Sequence, residues 1–176
     1  MRRSREEAAE TRQRIVEEAS RLFRGRGIDA VSIADVMGAL GLTVGGFYRH
    51  FDSKEALVAE AIEAASQATS GAVGAPSAKL RGYLSESHRA HPERGCPVAA
   101  LCSEVAHQSR STKKAFGRAL ERLVAGVAAA RPGAHRQKVL HTAAALVGGL
   151  VLARATSDDA LAAEILSAVR SEIERS

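Results

Sequence analysis

The residues of this 176-residue chain best suited to a chemical task run from Gly41 to Lys54: Gly41-Leu42-Thr43-Val44-Gly45-Gly46-Phe47-Tyr48-Arg49-His50-Phe51, then Ser53 and Lys54. Nothing in this run is arranged for making or breaking bonds. Its hydroxyls and cations are suited instead to non-covalent contact with an anionic partner such as nucleic acid. A helix that enters a DNA groove needs small or polar leading residues and flanking side chains that hold phosphates. Thr43 brings a hydroxyl suited to a phosphate, and Val44 brings methyls suited to a thymine methyl. Gly45 and Gly46 each weaken a helix by roughly 1 kcal/mol relative to Ala, and in return let the backbone approach DNA closely. Tyr48, His50 and Lys54 can reach phosphates, and Arg49 adds a cation. Lys54 also stands at a helix N-terminus, where the dipole attracts anions. Phe47 and Phe51 share a face four residues apart and read as core. Tyr48 reads either as a phosphate contact or as a structural ring.

A second group gathers His88, His91, Cys96, Cys102 and His107 within twenty positions. Clustered His and Cys can hold metal, but this spacing matches no common zinc pattern, so neither metal nor cofactor is expected. Cys96 has a second reading as a reactive thiol, since it sits near a helix N-terminus and Arg94. Six residues on, Cys102 would lie about 9 Å away on the same helix, beyond disulfide reach, and reads as a small core residue. No Gly-rich phosphate loop, paired acids or nucleophile motif is present, so the expectation is a protein that is not an enzyme.

The elements that position these residues read as all-α. Period-two β-branched runs are absent, prolines number four, and Ala, Leu, Glu and Arg favour helix. Residues 6–24 form an amphipathic helix with Ala8, Ile15, Ala19, Leu22 and Phe23 on one face and Arg12, Arg14, Glu17 and Arg21 off it. Gly25 and Gly27 stop it. Ser32 and Asp35 form a capping box for a short second helix that ends by Leu40-Gly41. Thr43 caps a third over 44–50, and Asp52 with Glu55 caps a fourth over 53–69. Residues 70–76 read as a flexible break. Helices over 76–91, 96–107, 111–130, 135–155 and 158–174 follow, about nine in all.

The formal charge is +5 and the isoelectric point about 9.7. A basic balance suits an anionic partner, yet the charge is unevenly placed. Residues 1–54 carry a net +2, and residues 79–138 a net +8 from twelve Lys/Arg against four Glu. Charge alone therefore does not locate the end that would meet an anionic partner. The N-terminus, with Arg2, Arg3 and Arg5, lacks the apolar stretch of a secretory signal. Those arginines read either as an arm for a neighbouring minor groove or as a solvated tail. The longest nearly apolar run, 143–153, is about half a membrane span. Two cysteines make no disulfide framework. Together these features lead to the expectation of a cytoplasmic protein with no membrane partner.

Three short helices with a Gly-containing turn between the second and third outline a helix-turn-helix. Here the residues resemble a known family. Thr11-Arg12, Ile15, Ala19, Leu22-Phe23 and Gly27, then Val31-Ser32-Ile33, then Gly41 to Phe51, then Ser53-Lys54-Glu55-Ala56-Leu57 look like the DNA-binding domain of TetR-type regulators. The resemblance covers the first third of the chain. Met37 departs from it, standing where such motifs commonly carry a small residue. The resemblance implies DNA contact by Ser32, Thr43, Val44, Gly45, Gly46, Tyr48, Arg49, His50 and Lys54. It implies a helix-turn-helix domain over 1–52 and a helical ligand-binding and dimerisation domain over 53–176, with 53–70 as connecting helix.

It further implies a homodimeric repressor on a palindromic double-stranded DNA operator, released by a small-molecule effector, with an activator as the alternative. The dimer is expected to use Leu146, Val147 and Leu150 from one helix and Leu161, Ile165 and Val169 from the next, stripes that serve equally as core. Candidate ligand residues are Tyr83, Cys102, Phe116 and Leu120. Only Tyr83 and Phe116 are aromatic beyond residue 51, too few for an aromatic cage around a cation.

Overall fold

In the computed structural model, which describes residues 2–71 and 76–175, ten α-helices and one 3-10 turn occur among the described residues. α1 (Arg2–Arg26) carries Ile15, Ala19, Leu22 and Phe23 inward at helical spacing and closes with Arg24 and Arg26 in its last turn, where cations suit the dipole. Gly27 follows with φ 92°. The backbone is helical from Arg2, so the expected N-terminal arm is instead the first turns of α1; the side chains of Arg2 and Arg3 lie outside the described set.

α2 (Ile33–Ala39) has the expected capping box, with Ser32 and Asp35 each taking the other's backbone N–H. It ends in a Schellman motif: the Leu42 N–H reaches the Met37 carbonyl at 2.9 Å and the Gly41 N–H reaches Gly38 at 3.0 Å. This turn places Gly41 at φ 69°, a conformation that costs L side chains and not glycine. α3 spans only Val44–Phe47, shorter than the expected 44–50. Two glycines in one turn depress helix propensity, and i→i+3 bonds from Arg49 to Gly46 and from His50 to Phe47 tighten the remainder. Thr43 is the N-cap residue, but its hydroxyl makes no capping bond. α4 (Lys54–Gly71) is capped by Ser53, whose Oγ accepts the Ala56 N–H at 3.1 Å, in place of the expected Asp52. The expected break over 70–76 lies largely outside the described residues.

The expected helix over 76–91 is two helices, α5 (Pro76–Tyr83) and α6 (Glu86–Ala90). Gly82 weakens the first and Ser85 caps the second through the His88 N–H. The Tyr83 carbonyl, which a continuous helix would pair along its axis, is bound by His88 Nδ1 at 2.7 Å. A 3-10 turn (Pro92–Arg94) leads to α7 (Pro97–Val105), and α8 (Arg110–Ala130), α9 (Arg136–Ala155) and α10 (Asp159–Arg175) complete the bundle.

One apolar cluster joins α1–α4 to α7 and α8, with Phe23, Phe47, Leu57, Ile62 and Leu101 fully buried. Burying each such side chain stabilises by about 1.5–3 kcal/mol. Met37 is buried in this cluster, its methyl beneath Gly46. A second cluster, with Leu84, Leu146 and Leu150 at its centre, binds α9 and α10 together. α9 is long and apolar enough by length and composition to cross a membrane, more so than the run 143–153 implied, but it packs against α8 and α10 and buries one side in this cluster.

Candidate nucleic-acid interface and the cavity behind it

The first turn of α3 projects small groups outward. Thr43, Val44 and Gly45 are exposed, Val44 by 45%. A Cβ built on Gly45 would meet nothing within 4 Å, so no packing inside the chain demands glycine there. Gly46 is half-buried over the Met37 methyl. Tyr48 is 63% exposed and Arg49 is exposed, both just beyond α3. Ser32 is exposed at the N-terminus of α2, with its hydroxyl engaged by Asp35. The Asp35 carboxyl is held below its ordinary value, chiefly by hydrogen bonds from Ser32.

Phe47 and Phe51 anchor this turn from below, stacked with centroids 5.4 Å apart and fully buried. Arg12 of α1 then locks it. Its guanidinium lies 4.4 Å over the Phe51 ring, donates to the His50 carbonyl at 3.3 Å and grips Glu60 of α4 with two bonds of 2.6 Å. Sequence periodicity left Arg12 off the apolar face and gave no hint of this clamp; its partner lies 48 positions away. Lys54 is also tied inward. Its Nζ donates to the Ile28 carbonyl at 2.7 Å, so this ammonium braces the loop after α1 as well as standing near the DNA-facing surface. His50 is half-buried, with its carbonyl taken by Arg12.

Behind this face, residues of α1 and of α4 through α9 line a cavity of about 860 Å³. Apolar walls come from Leu80, Leu123, Val127 and Leu146, and polar groups from Arg24, Tyr83, His88, Cys96 and Arg122. Of the residues expected to bind ligand, Tyr83 lines this space. Cys102, Phe116 and Leu120 do not. On α8 the inward positions are Ala119, Arg122, Leu123 and Gly126, which leaves Leu120 38% exposed to solvent and Phe116 in the N-terminal cluster. On α7 it is Cys96, at the helix start, that reaches the cavity.

Burial would raise the Glu63 carboxyl, but bonds from Arg118 and Arg122 outweigh it and hold it below the usual range. Arg122 Nη1 reaches Glu63 at 2.6 Å and Ser66 at 2.7 Å, fastening α8 to α4. Among the described residues no three His, Cys, Asp or Glu groups are placed to share a metal ion.

The expected dimer stripe divides in two. Leu146 and Leu150 are buried within the protomer at 1% and 0% exposure, so they offer a partner no surface. Val147, Ile165 and Val169 are half-buried against the second cluster, and Leu161 is exposed. The outward face of α9 is instead Leu140, Ala144, Gly148 and Leu152, spaced four apart, with Leu140 and Leu152 exposed by 43% and 59%. A Cβ on Gly148 would meet nothing within 4 Å.

Residues 15–61 match the family model of bacterial regulatory proteins of the tetR family. The HTH-type transcriptional regulator TtgR of Pseudomonas putida is 45% identical over 58 residues, which are 33% of this chain and 28% of that protein. The chain thus matches less than a third of the length of this relative. Over the whole fold, E. coli NemR in its reduced form superposes with a TM-score of 0.76 at 17% identity, covering 94% of this chain and 96% of that one. A TetR family regulator from Cytophaga hutchinsonii superposes with a TM-score of 0.71 at 24% identity, covering 96% and 95%. The bundle has the fold of these regulators from end to end.

Proposed function

We propose that this chain, a TetR family transcriptional regulator, is a cytoplasmic homodimeric repressor that leaves a palindromic operator when a small molecule enters its helical domain. The observation that carries the reading is the first turn of α3. It is a bare, exposed surface of Thr43, Val44 and Gly45 on a rigid base of buried aromatics and the Arg12 clamp. Such a turn can lie in a major groove while Tyr48, Arg49 and the α4 N-terminus face the strands on either side. We assign residues 1–52 to this DNA-binding unit and residues 53–176 to effector binding and pairing, with no catalytic role.

A single helix-turn-helix reads few base pairs, and pairing on a two-fold site supplies the missing specificity. The outward stripe of Leu140, Ala144, Gly148 and Leu152 on α9, with Leu161 exposed on α10, supports these two helices as the pairing face. Its small residues allow close helix approach. The cavity supports an effector of mixed apolar and polar character, its volume being in the range of small-molecule sites.

Signal transfer has a physical route. α7, whose first residues edge the cavity, carries Glu104 near its other end. Glu104 accepts the Ile28 N–H at 2.6 Å, in the loop between α1 and α2. Movement of α7 therefore moves the base of the helix-turn-helix. Selection of bound sequences from random duplex DNA tests the reading. It is expected to return a palindrome bound by a dimer; enrichment of sequences without two-fold symmetry would overturn it.

A further inference from the structure

Cys96 sits where the cavity, two half-buried cations and the start of α7 meet. It lines the cavity and is the N-cap residue of α7, with no side-chain cap bond. Arg24 and Arg154 both act electrostatically on its sulfur. Among the described residues neither forms an ion pair; each is held by carbonyls, Arg24 by Ser20 and Gly95, Arg154 by His88 and Arg89. His88 Nε2 accepts the Cys96 N–H at 3.0 Å while its Nδ1 binds the Tyr83 carbonyl. The Tyr83 hydroxyl is buried with no nitrogen or oxygen partner, and its neighbour is the Cys96 thiol. Arg154 Nη1 is buried and unpartnered as well. Buried donors without partners are costly, and the Tyr83 hydroxyl stands beside the Cys96 sulfur at the edge of the cavity.

We propose that Cys96 captures the effector covalently, and that the effector class is a small α,β-unsaturated carbonyl compound. Cys96 Sγ bonds to the β-carbon, the carbon–carbon π pair moves between the α-carbon and the carbonyl carbon, and the carbonyl π pair passes to the oxygen to give an enolate. The thiol proton ends on the α-carbon, so the addition needs no oxidant or reductant. The Tyr83 O–H is the donor for the oxygen as its negative charge develops, the role that preorganised donors play for oxyanions. Burial keeps Tyr83 protonated, its phenol well above the ordinary value. The apolar walls take the rest of the molecule.

The adduct forms at a mechanical junction. The carbonyl of Gly95, the preceding residue, holds Arg24 of α1 at 2.6 Å. A Cβ on Gly95 would collide with the His88 ring, so the turn has no room to swell. Glu104 at the other end of α7 holds Ile28, and a Cβ on Gly27 would meet Glu104 Oε1 at 2.8 Å. A group added to Cys96 pushes on both attachments of α7 to the DNA-binding unit.

This inference rests on the reading of the chain as a ligand-released operator binder. The test uses the full chain, free and on its selected operator, with methyl vinyl ketone as probe. Mass spectrometry of digested protein is expected to find one probe mass on Cys96 before Cys102, at a rate about tenfold higher. Operator affinity is expected to fall by about tenfold or more. Cys96→Ser should bind operator like the wild type and stay bound after treatment, and Cys102→Ser should behave as wild type throughout. Tyr83→Phe should slow addition at Cys96 severalfold without changing the rate at Cys102. Faster reaction at Cys102, release of Cys96→Ser by the probe, or a Cys96 adduct with undiminished operator affinity would each overturn the proposal. Failure of the underlying reading would show separately, as absence of operator binding before the probe is added; adduct site and rate are still read on the free protein.

Discussion

Replacing Gly45 by Ala should move stability and DNA affinity in opposite directions. Inside the chain the new methyl meets nothing within 4 Å, and Gly45 is not among the positive-φ glycines. The substitution therefore removes unfolded-state freedom without strain, a gain of about 0.4–1 kcal/mol. For a chain of this size that raises Tm by roughly 1–4 °C. On DNA the same methyl projects from the turn that must lie against the groove. Holding one charge-assisted contact out of reach forfeits about 1.5–3 kcal/mol, or roughly 10–100-fold in affinity for each half-site. Thermal melting and a binding isotherm on the selected operator read the two effects. Unchanged or tighter binding alongside the higher Tm would refute the argument that this glycine is kept bare for DNA.

Arg49→Ala should weaken binding to all duplexes alike and reduce the slope of log affinity against log salt by about 1, read from isotherms at several salt concentrations. Leu152→Glu should shift the chain from dimer to monomer in sedimentation while leaving the far-ultraviolet spectrum unchanged, because Leu152 is 59% exposed in the protomer. His88 is held below its ordinary pKa of 6.5, mainly by burial. The unfolded chain thus binds the extra proton first, and the contribution of His88 is complete above that pH and lost as pH falls through the lower folded value. Chemical denaturation of wild type and His88→Gln between neutral pH and pH 5 should show this component in the wild type alone.

Local structure was legible in the sequence at several positions where one side chain decides it, although the Thr43 and Asp52 caps were not among them. The Ser32–Asp35 box, the Gly41 turn and the buried pair Phe47 and Phe51 follow from spacing and backbone stereochemistry. The split between α5 and α6 was not, because it depends on a His88 ring bond to the Tyr83 carbonyl that propensity does not register. The face of α9 was misread for a different reason. That helix is apolar almost all round, so its own pattern cannot say which side is core and which pairs with a partner. Leu146 and Leu150 became core, and the outward face fell to Leu140 and Leu152. The Arg12–Glu60 clamp, the Lys54–Ile28 bond and the Glu104–Ile28 bond join residues 26 to 76 positions apart. The cavity is assembled from seven helices in the same way, which is why Cys96 and not Cys102 lies at its edge.

Methylation interference on the selected operator tests most directly whether the first turn of α3 lies in the major groove. Methylated guanine N7 projects into that groove and methylated adenine N3 into the minor groove. The account predicts that N7 methylation within each half-site abolishes binding, while N3 methylation at the same half-sites leaves it intact. Interference confined to adenine N3, or absent from both half-sites, would contradict it.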